Sequence, residues 1–201
     1  MRTALHHLQH VQLRYYGSDL RLAGSSSTGE EGYEVWGEAA SLLSLWHALS
    51  REAPRFAALP CGAEALESLR IEAGIPRYGP DMSEDTIPLE AGLWSAISFT
   101  KGCYIGQEVI ERLRSRGHVN WTLAGALIDS PSAPRSGEKL LGLGAEGKEV
   151  GAVTSSCVSP TLSRTIALAF VRREFSHPGT RLALASGHGV EIVELPFYRR
   201  A

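Results

Sequence analysis

A chain of 201 residues with 43% hydrophobic and 21% charged side chains has an ordinary globular composition, long enough for one or two domains with real cores. Its net charge of −2 gives no reason to expect nucleic acid or anionic lipid, and no apolar run approaches the roughly 20 residues that span a bilayer. Met1 to His7 lack the apolar core of a secretory signal, so the expected setting is cytoplasmic, with neither nucleic acid nor membrane as a direct partner.

Val11 to Tyr16 reads as a strand, and Asp19 to Ala23 continues it as a hairpin after Gly17. A polar loop, Ser25 to Gly32, leads into a further short strand, Tyr33-Glu34-Val35-Trp36. Helical spacing of Leu42, Leu45, Trp46 and Leu49 predicts a helix over about 39–51. Pro60-Cys61-Gly62 opens a second helix, about 63–73, whose buried face is expected to carry Leu66, Leu69 and Ala73, with Gly74 as its stop.

From Pro76 to Ser98 a long connection rich in Pro, Gly, Asp and Ser also holds aromatic and branched residues, which argues for an ordered loop lining a site. A third helix is expected over 106–116, with Val109, Ile110 and Leu113 as its apolar residues. Beyond Gly117 the texture changes to β-rich runs at Leu123–Ile128, Val150–Ser156, Thr165–Val171, Arg181–Ala185 and Val190–Leu195. Turns separate them at the intervals of a small barrel. The expected fold class is therefore α+β: a mixed sheet with helices over 1–118, then a small C-terminal β-barrel over 119–201. Charge divides the same way, with 11 basic and 15 acidic side chains before the boundary and 9 and 7 after it.

Three cysteines, Cys61, Cys103 and Cys157, lie far apart and form no CxxC, so neither a disulfide framework nor a zinc site is expected. Cys103 belongs to the segment richest in chemistry, Lys101-Gly102-Cys103-Tyr104-Ile105-Gly106-Gln107-Glu108. Gly102 and Gly106 bracket a tight stretch and permit unusual backbone geometry or close approaches. Lys101 and the positive end of the following helix are both placed to lower a thiol pKa. Read from residues alone, Cys103 is either a reactive thiolate with Lys101 as its tuner or a small buried core residue. Glu34, after a glycine-bearing loop, is either a carboxylate for a planar donor edge or a strand-edge charge in water. Arg70 either reaches a ligand carboxylate or pairs along its helix with Glu67 or Glu72.

Other patterns carry less. Gly142 to Gly147 satisfies GxGxxG but lies between β runs, where a glycine-rich hairpin is expected and a dinucleotide site is not. His6, His7 and His10 offer a pair at helical i, i+4 spacing without a third convincing ligand, so a frayed, solvent-exposed terminus is expected there. Asn120-Trp121-Thr122 is a formal sequon without a secretory context. Arg112, Arg114, Arg116 and His118 form a short basic run that reads as a solvated face.

The segment Lys101 to Glu108 matches the signature K-G-C-[FY]-x-G-Q-E, and by it the chain resembles the YgfZ-type folate-binding family of the aminomethyltransferase (glycine-cleavage T-protein) superfamily. Gly32-Tyr33-Glu34, Pro60-Cys61-Gly62, the run from Leu69 to Gly79, Gly151 to Pro160 and Ile166-Ala167 extend the likeness over nearly the whole chain from about Leu20. The resemblance implies a partial T-protein-like folate-binding lobe and tetrahydrofolate, or a derivative, as cofactor. It assigns Glu34 to the pterin and Arg70, Tyr104, Gln107 and Glu108 to the same site. Tyr78, Trp94 and Tyr104 are further candidates for aromatic faces on the heterocycle.

The resemblance also implies a folate-binding accessory role in iron–sulfur cluster assembly or repair, indirectly supporting tRNA modification by iron–sulfur enzymes. The partners would be iron–sulfur assembly proteins or client enzymes, with Cys103 as the reactive thiol. One thiol cannot hold a cluster, which ordinarily takes four protein ligands, so a cluster scaffold is not expected. The alternative is a tetrahydrofolate-dependent aminomethyltransferase of the glycine-cleavage type. Relatives carry a hundred or more residues ahead of the part matched here, including an aspartate associated with aminomethyl transfer, to which no position of this sequence corresponds.

Overall fold

The structure, a computed structural model, describes residues 5–144 and 147–198. The chain forms two compact units, Met1–Arg70 and Ile71–Ala201.

In the first unit, β1 (His10–Tyr15), β2 (Ser18–Gly24) and β3 (Tyr33–Trp36) make an antiparallel sheet in the order β1-β2-β3. Tyr15 pairs with Ser18, and the two residues between them, Tyr16 and Gly17, have φ of 46° and 87°. Positive φ at both positions matches the twist of the flanking strands and makes the tight hairpin turn possible. Ser25 N–H donates to the Gly32 carbonyl at 2.9 Å and closes the loop ahead of β3.

Helix α1 (Ala39–Glu52) forms where the leucine spacing predicts it. Its apolar stripe is not buried in this structure: Trp46 and Leu49 are exposed, Leu42 and Leu45 partly so. Trp46 and Leu49, with Phe56 and Leu59, edge an open apolar groove of about 320 Å³.

Helix α2 (Ala63–Glu72) carries the division between the units. The buried face expected for it is corrected here, because Leu66 and Leu69 are exposed while Arg70, Ile71 and Glu72 are buried. In the second unit Ile71 packs into a cluster with Leu123, Ile166 and Leu168, and Glu72 follows it inward. Glu72 accepts hydrogen bonds from Ser159 Oγ, from the Thr161 amide at 3.1 Å and from Thr161 Oγ1 at 2.9 Å.

The segment after α2 is anchored to the barrel strands at several points. Asp81, 1% exposed, accepts from the Arg77 amide at 3.0 Å and from Thr154 Oγ1 at 2.5 Å. The Leu123 amide donates to the Glu90 carbonyl at 2.8 Å. These anchors explain why the compact division falls at Arg70, although sequence texture changes near residue 118. Helix α3 (Gln107–Arg116) completes the segment, with Ile110 buried and Val109 exposed.

The rest is a closed antiparallel barrel in the order β4-β7-β6-β5-β8-β9. Its strands are β4 (Trp121–Ile128), β5 (Lys139–Gly142), β6 (Glu149–Ser159), β7 (Arg164–Arg172), β8 (Arg181–Leu184) and β9 (Gly189–Val193). Ala126, Ala167 and Ala169 join Leu140, Val150, Val153 and Ile192 in its interior, where six strands leave little room for bulk. The other face of β7, Ile166 and Leu168, is covered by Ile71, Leu123 and the C-terminal Leu195 and Phe197. Burial on both faces is why β7 reads as an unbroken apolar run.

Strand β5, four residues long, escapes the sequence reading and supplies the sixth strand that closes the barrel. It pairs antiparallel with β6, so the GxGxxG stretch falls between two paired strands; Ala145 and Glu146 in it lie outside the described residues. Among the described residues no helix is long and apolar enough to cross a membrane, and no group of His, Cys, Asp and Glu is arranged to hold a metal.

Candidate functional site

Glu34 lies on β3, and the loop before it fixes its carboxylate. Ser25 Oγ donates to one oxygen at 2.7 Å and the Trp36 indole N–H donates to the other at 3.1 Å. Chiefly the Ser25 hydroxyl, and after it the Trp36 N–H, hold this carboxyl below its ordinary value by stabilising the charged form. Two oxygens offer about four lone-pair sites, so acceptor capacity remains toward solvent beside the exposed rings of Tyr33 and Trp36. Sequence reasoning missed Ser25 and Trp36 as the orienting pair. Ser25 is nine residues distant, and only the closed loop brings it back.

Arg70 is 4% exposed and pairs through Nη2 with Glu67 one helical turn earlier. Glu72, the other intrahelical partner considered from sequence, is engaged by Ser159 and Thr161.

The signature segment occupies the turn into α3. Gly106, with φ of 87°, is the residue before the first helical turn, and a Cβ there would meet open space. Glycine is needed at this position for conformation, and neither Gly102 nor Gly106 sits against another chain segment. Lys101 places its ammonium 4.6 Å from the centroid of the Tyr104 ring. The Tyr104 hydroxyl is buried without a hydrogen-bond partner.

Cys103 is exposed, which removes the reading of it as a core residue; Cys61 is also exposed, and Cys157 is half-buried. Gln107 is half-buried in the first turn of α3, and Glu108 is exposed and pairs with Arg112 at 2.6 Å. Arg114 pairs with Glu111 and lies 4.5 Å over the Phe99 ring, so part of the basic run is neutralised on its own helix.

Lys101, Tyr104, Ile105 and Gly106 line a cleft of about 450 Å³ together with Ile87, Pro88 and Ile97 of the long connection. That connection is ordered and lines this cleft, with Leu89 and Ala91 buried behind it. Tyr78 and Trp94 are exposed and lie outside the cleft. An apolar wall bordered by the Lys101 ammonium and by the acidic residues Glu84 and Asp85 suits a flat, partly apolar ligand with a polar edge.

A mixed α+β region followed in the chain by a closed six-stranded barrel defines a two-part class of protein, and both parts are matched by family models. Residues 1–101 match the GCVT N-terminal domain, and residues 122–199 match the glycine cleavage T-protein C-terminal barrel domain. The chain belongs to the glycine cleavage T-protein family.

It is 35% identical over 188 residues to an aminomethyltransferase of Saccharopolyspora erythraea, covering 92% of this chain and 50% of the relative. It is 36% identical over 184 residues to an aminomethyltransferase of Symbiobacterium thermophilum, covering 90% and 48%. The crystal structure of glycine cleavage system aminomethyltransferase T from Bartonella henselae superposes with a TM-score of 0.76 at 25% identity, over 89% of this chain and 50% of that one. The chain thus spans about half the length of the relatives it matches.

Proposed function

We propose that this chain binds a reduced folate of the tetrahydrofolate class and serves aminomethyl transfer of the glycine-cleavage type. The observation that carries this reading is the 33–36% identity to proteins named aminomethyltransferase over most of the chain. It reverses the order suggested by the octapeptide alone.

Glu34 is the proposed pterin contact. Its carboxylate is ionised, oriented by Ser25 and Trp36, and still has lone pairs to accept from the amino and ring N–H groups of a pterin. Arg70, Tyr104, Gln107 and Glu108 are proposed folate contacts. The Tyr104 hydroxyl, buried without a partner, supports an assignment in which a ligand or a small side-chain movement satisfies it. Bound tetrahydrofolate would supply the nitrogen that accepts a one-carbon unit; the protein residues would bind and orient it.

A second reading, an accessory role in iron–sulfur cluster assembly or repair in the cytoplasm, is favoured by the intact Lys101-Gly102-Cys103 triplet and by the exposure of Cys103. In that case the partners are iron–sulfur assembly proteins or client enzymes, and effects on tRNA modification follow indirectly.

One pair of assays separates the two. Glycine-cleavage activity with a lipoyl partner protein, dependent on Glu34, supports the transfer reading. Tetrahydrofolate binding without such activity, together with a Cys103-dependent effect on an iron–sulfur client, supports the second. Absence of folate binding by well-folded protein would overturn both.

A further inference from the structure

A second cleft, of about 610 Å³, opens at one end of the barrel and contains no residue of the signature segment. It is lined by His118 and Asn120 ahead of β4, Trp121 at the start of β4, Arg172 at the end of β7, and Arg173, Glu174 and His177 just beyond.

Trp121 and Arg172 are directly paired across β4 and β7, and the guanidinium lies 5.2 Å from the Trp121 ring centroid. The backbone is fixed as well, because the Arg173 amide donates to the Asn120 carbonyl at 3.0 Å. The Arg172 Nε is buried without a hydrogen-bond partner, and the half-buried Arg172 side chain lines the cleft.

Among the described residues no carboxylate pairs with Arg172 or Arg173, including Glu174 beside them. That is unusual company for a half-buried arginine, since a partly desolvated guanidinium normally finds an acceptor. Two guanidinium groups, two imidazoles and one carboxamide face one carboxylate across a cleft whose walls are held by the strand pairing.

We infer that this cleft binds a compact tetrahedral oxyanion of the phosphate class. Arg172 is the anchor, oriented by its stack on Trp121, and Arg173, His118, His177 and Asn120 complete the donor set. A planar guanidinium matches two phosphate oxygens at once, and the remaining donors suit the third oxygen better than they suit a two-oxygen carboxylate.

Calorimetric or NMR titration with inorganic phosphate at fixed, low ionic strength tests the assignment, with acetate as the competing chemistry. The expected result is saturable phosphate binding that is at least tenfold tighter than acetate binding. Arg172→Gln is expected to weaken it at least tenfold, and Arg173→Gln, at an exposed position that leaves the Trp121 stack intact, severalfold. Arg181→Gln, exposed on β8 and away from the cleft, should leave binding unchanged. Methyl phosphate bound as tightly as phosphate or tighter would assign a phosphate ester as the natural ligand; tenfold weaker binding would assign the free ion. No saturable phosphate binding, equal affinity for acetate, or binding untouched in folded Arg172→Gln and Arg173→Gln would each overturn the assignment.

Discussion

Removing the Glu72 carboxylate tests how the segment after α2 is fixed to the barrel. Glu72 is 1% exposed and accepts from Ser159 Oγ, the Thr161 amide and Thr161 Oγ1. In Glu72→Ala the fully buried Ser159 hydroxyl loses its acceptor, at a cost of about 1–3 kcal/mol for a buried unsatisfied group. Thr161 is exposed, so water takes over its two donors and each of those losses is nearer 0.5 kcal/mol. With a small void added, the expected loss is about 3 kcal/mol, a fall in Tm of roughly 6–12 °C for a chain of this size. Glu72→Gln keeps an acceptor oxygen in place and should lose about half as much. Guanidinium denaturation followed by circular dichroism reads both variants. A loss below about 1 kcal/mol in Glu72→Ala, or equal losses in the two variants, would refute the anchoring role, since burial of an uncompensated carboxylate would then cancel its hydrogen bonds.

Other expectations concern the site and the barrel. Glu34→Gln should weaken tetrahydrofolate binding by about 10–100-fold, the worth of a charge-assisted hydrogen bond, without changing the melting temperature appreciably; calorimetry and thermal melts check both. Because the Glu34 carboxyl is held below its ordinary value of about 4.3, any stability it contributes is fully present above that pH and is lost as pH falls through the lower folded value; carboxyl NMR titration should show this midpoint, and affinity from this group should be flat between pH 6 and 8. Cys103→Ser, at an exposed position, should alter stability by less than about 0.5 kcal/mol in denaturant melts, and a larger loss would show that the thiol packs. Gly151→Ala should cost about 1–3 kcal/mol, because its Cβ would press on the Phe170 carbonyl oxygen and the β6–β7 pairing must shift; wild-type melting would contradict that contact.

Elements with strong periodicity were legible in the sequence. Strands β3, β4, β6 and β7 and helix α1 fall where alternation, branched residues and leucine spacing place them. β5 was not legible, since four residues beside a glycine-rich turn give no pattern and only the partners β6 and β8 define it. The buried face of α2 was misjudged because periodicity favours leucine over charge, whereas Ser159 and Thr161, far along the chain, stabilise Glu72 inside.

At the candidate site, the signature segment and the long connection beside it were both visible in the sequence. Their shared cleft, and the stacking of Lys101 on Tyr104, depend on folding and were not. Spacing alone suggested that Lys101 tunes Cys103, but it could not foresee that the ammonium would settle over the aromatic ring.

Calorimetric titration of the folded chain with tetrahydrofolate, run beside Glu34→Gln, addresses the functional reading most directly. Saturable binding that is weakened at least tenfold in Glu34→Gln is the predicted result. No heat of binding from well-folded protein, or equal affinity in the two proteins, would contradict it.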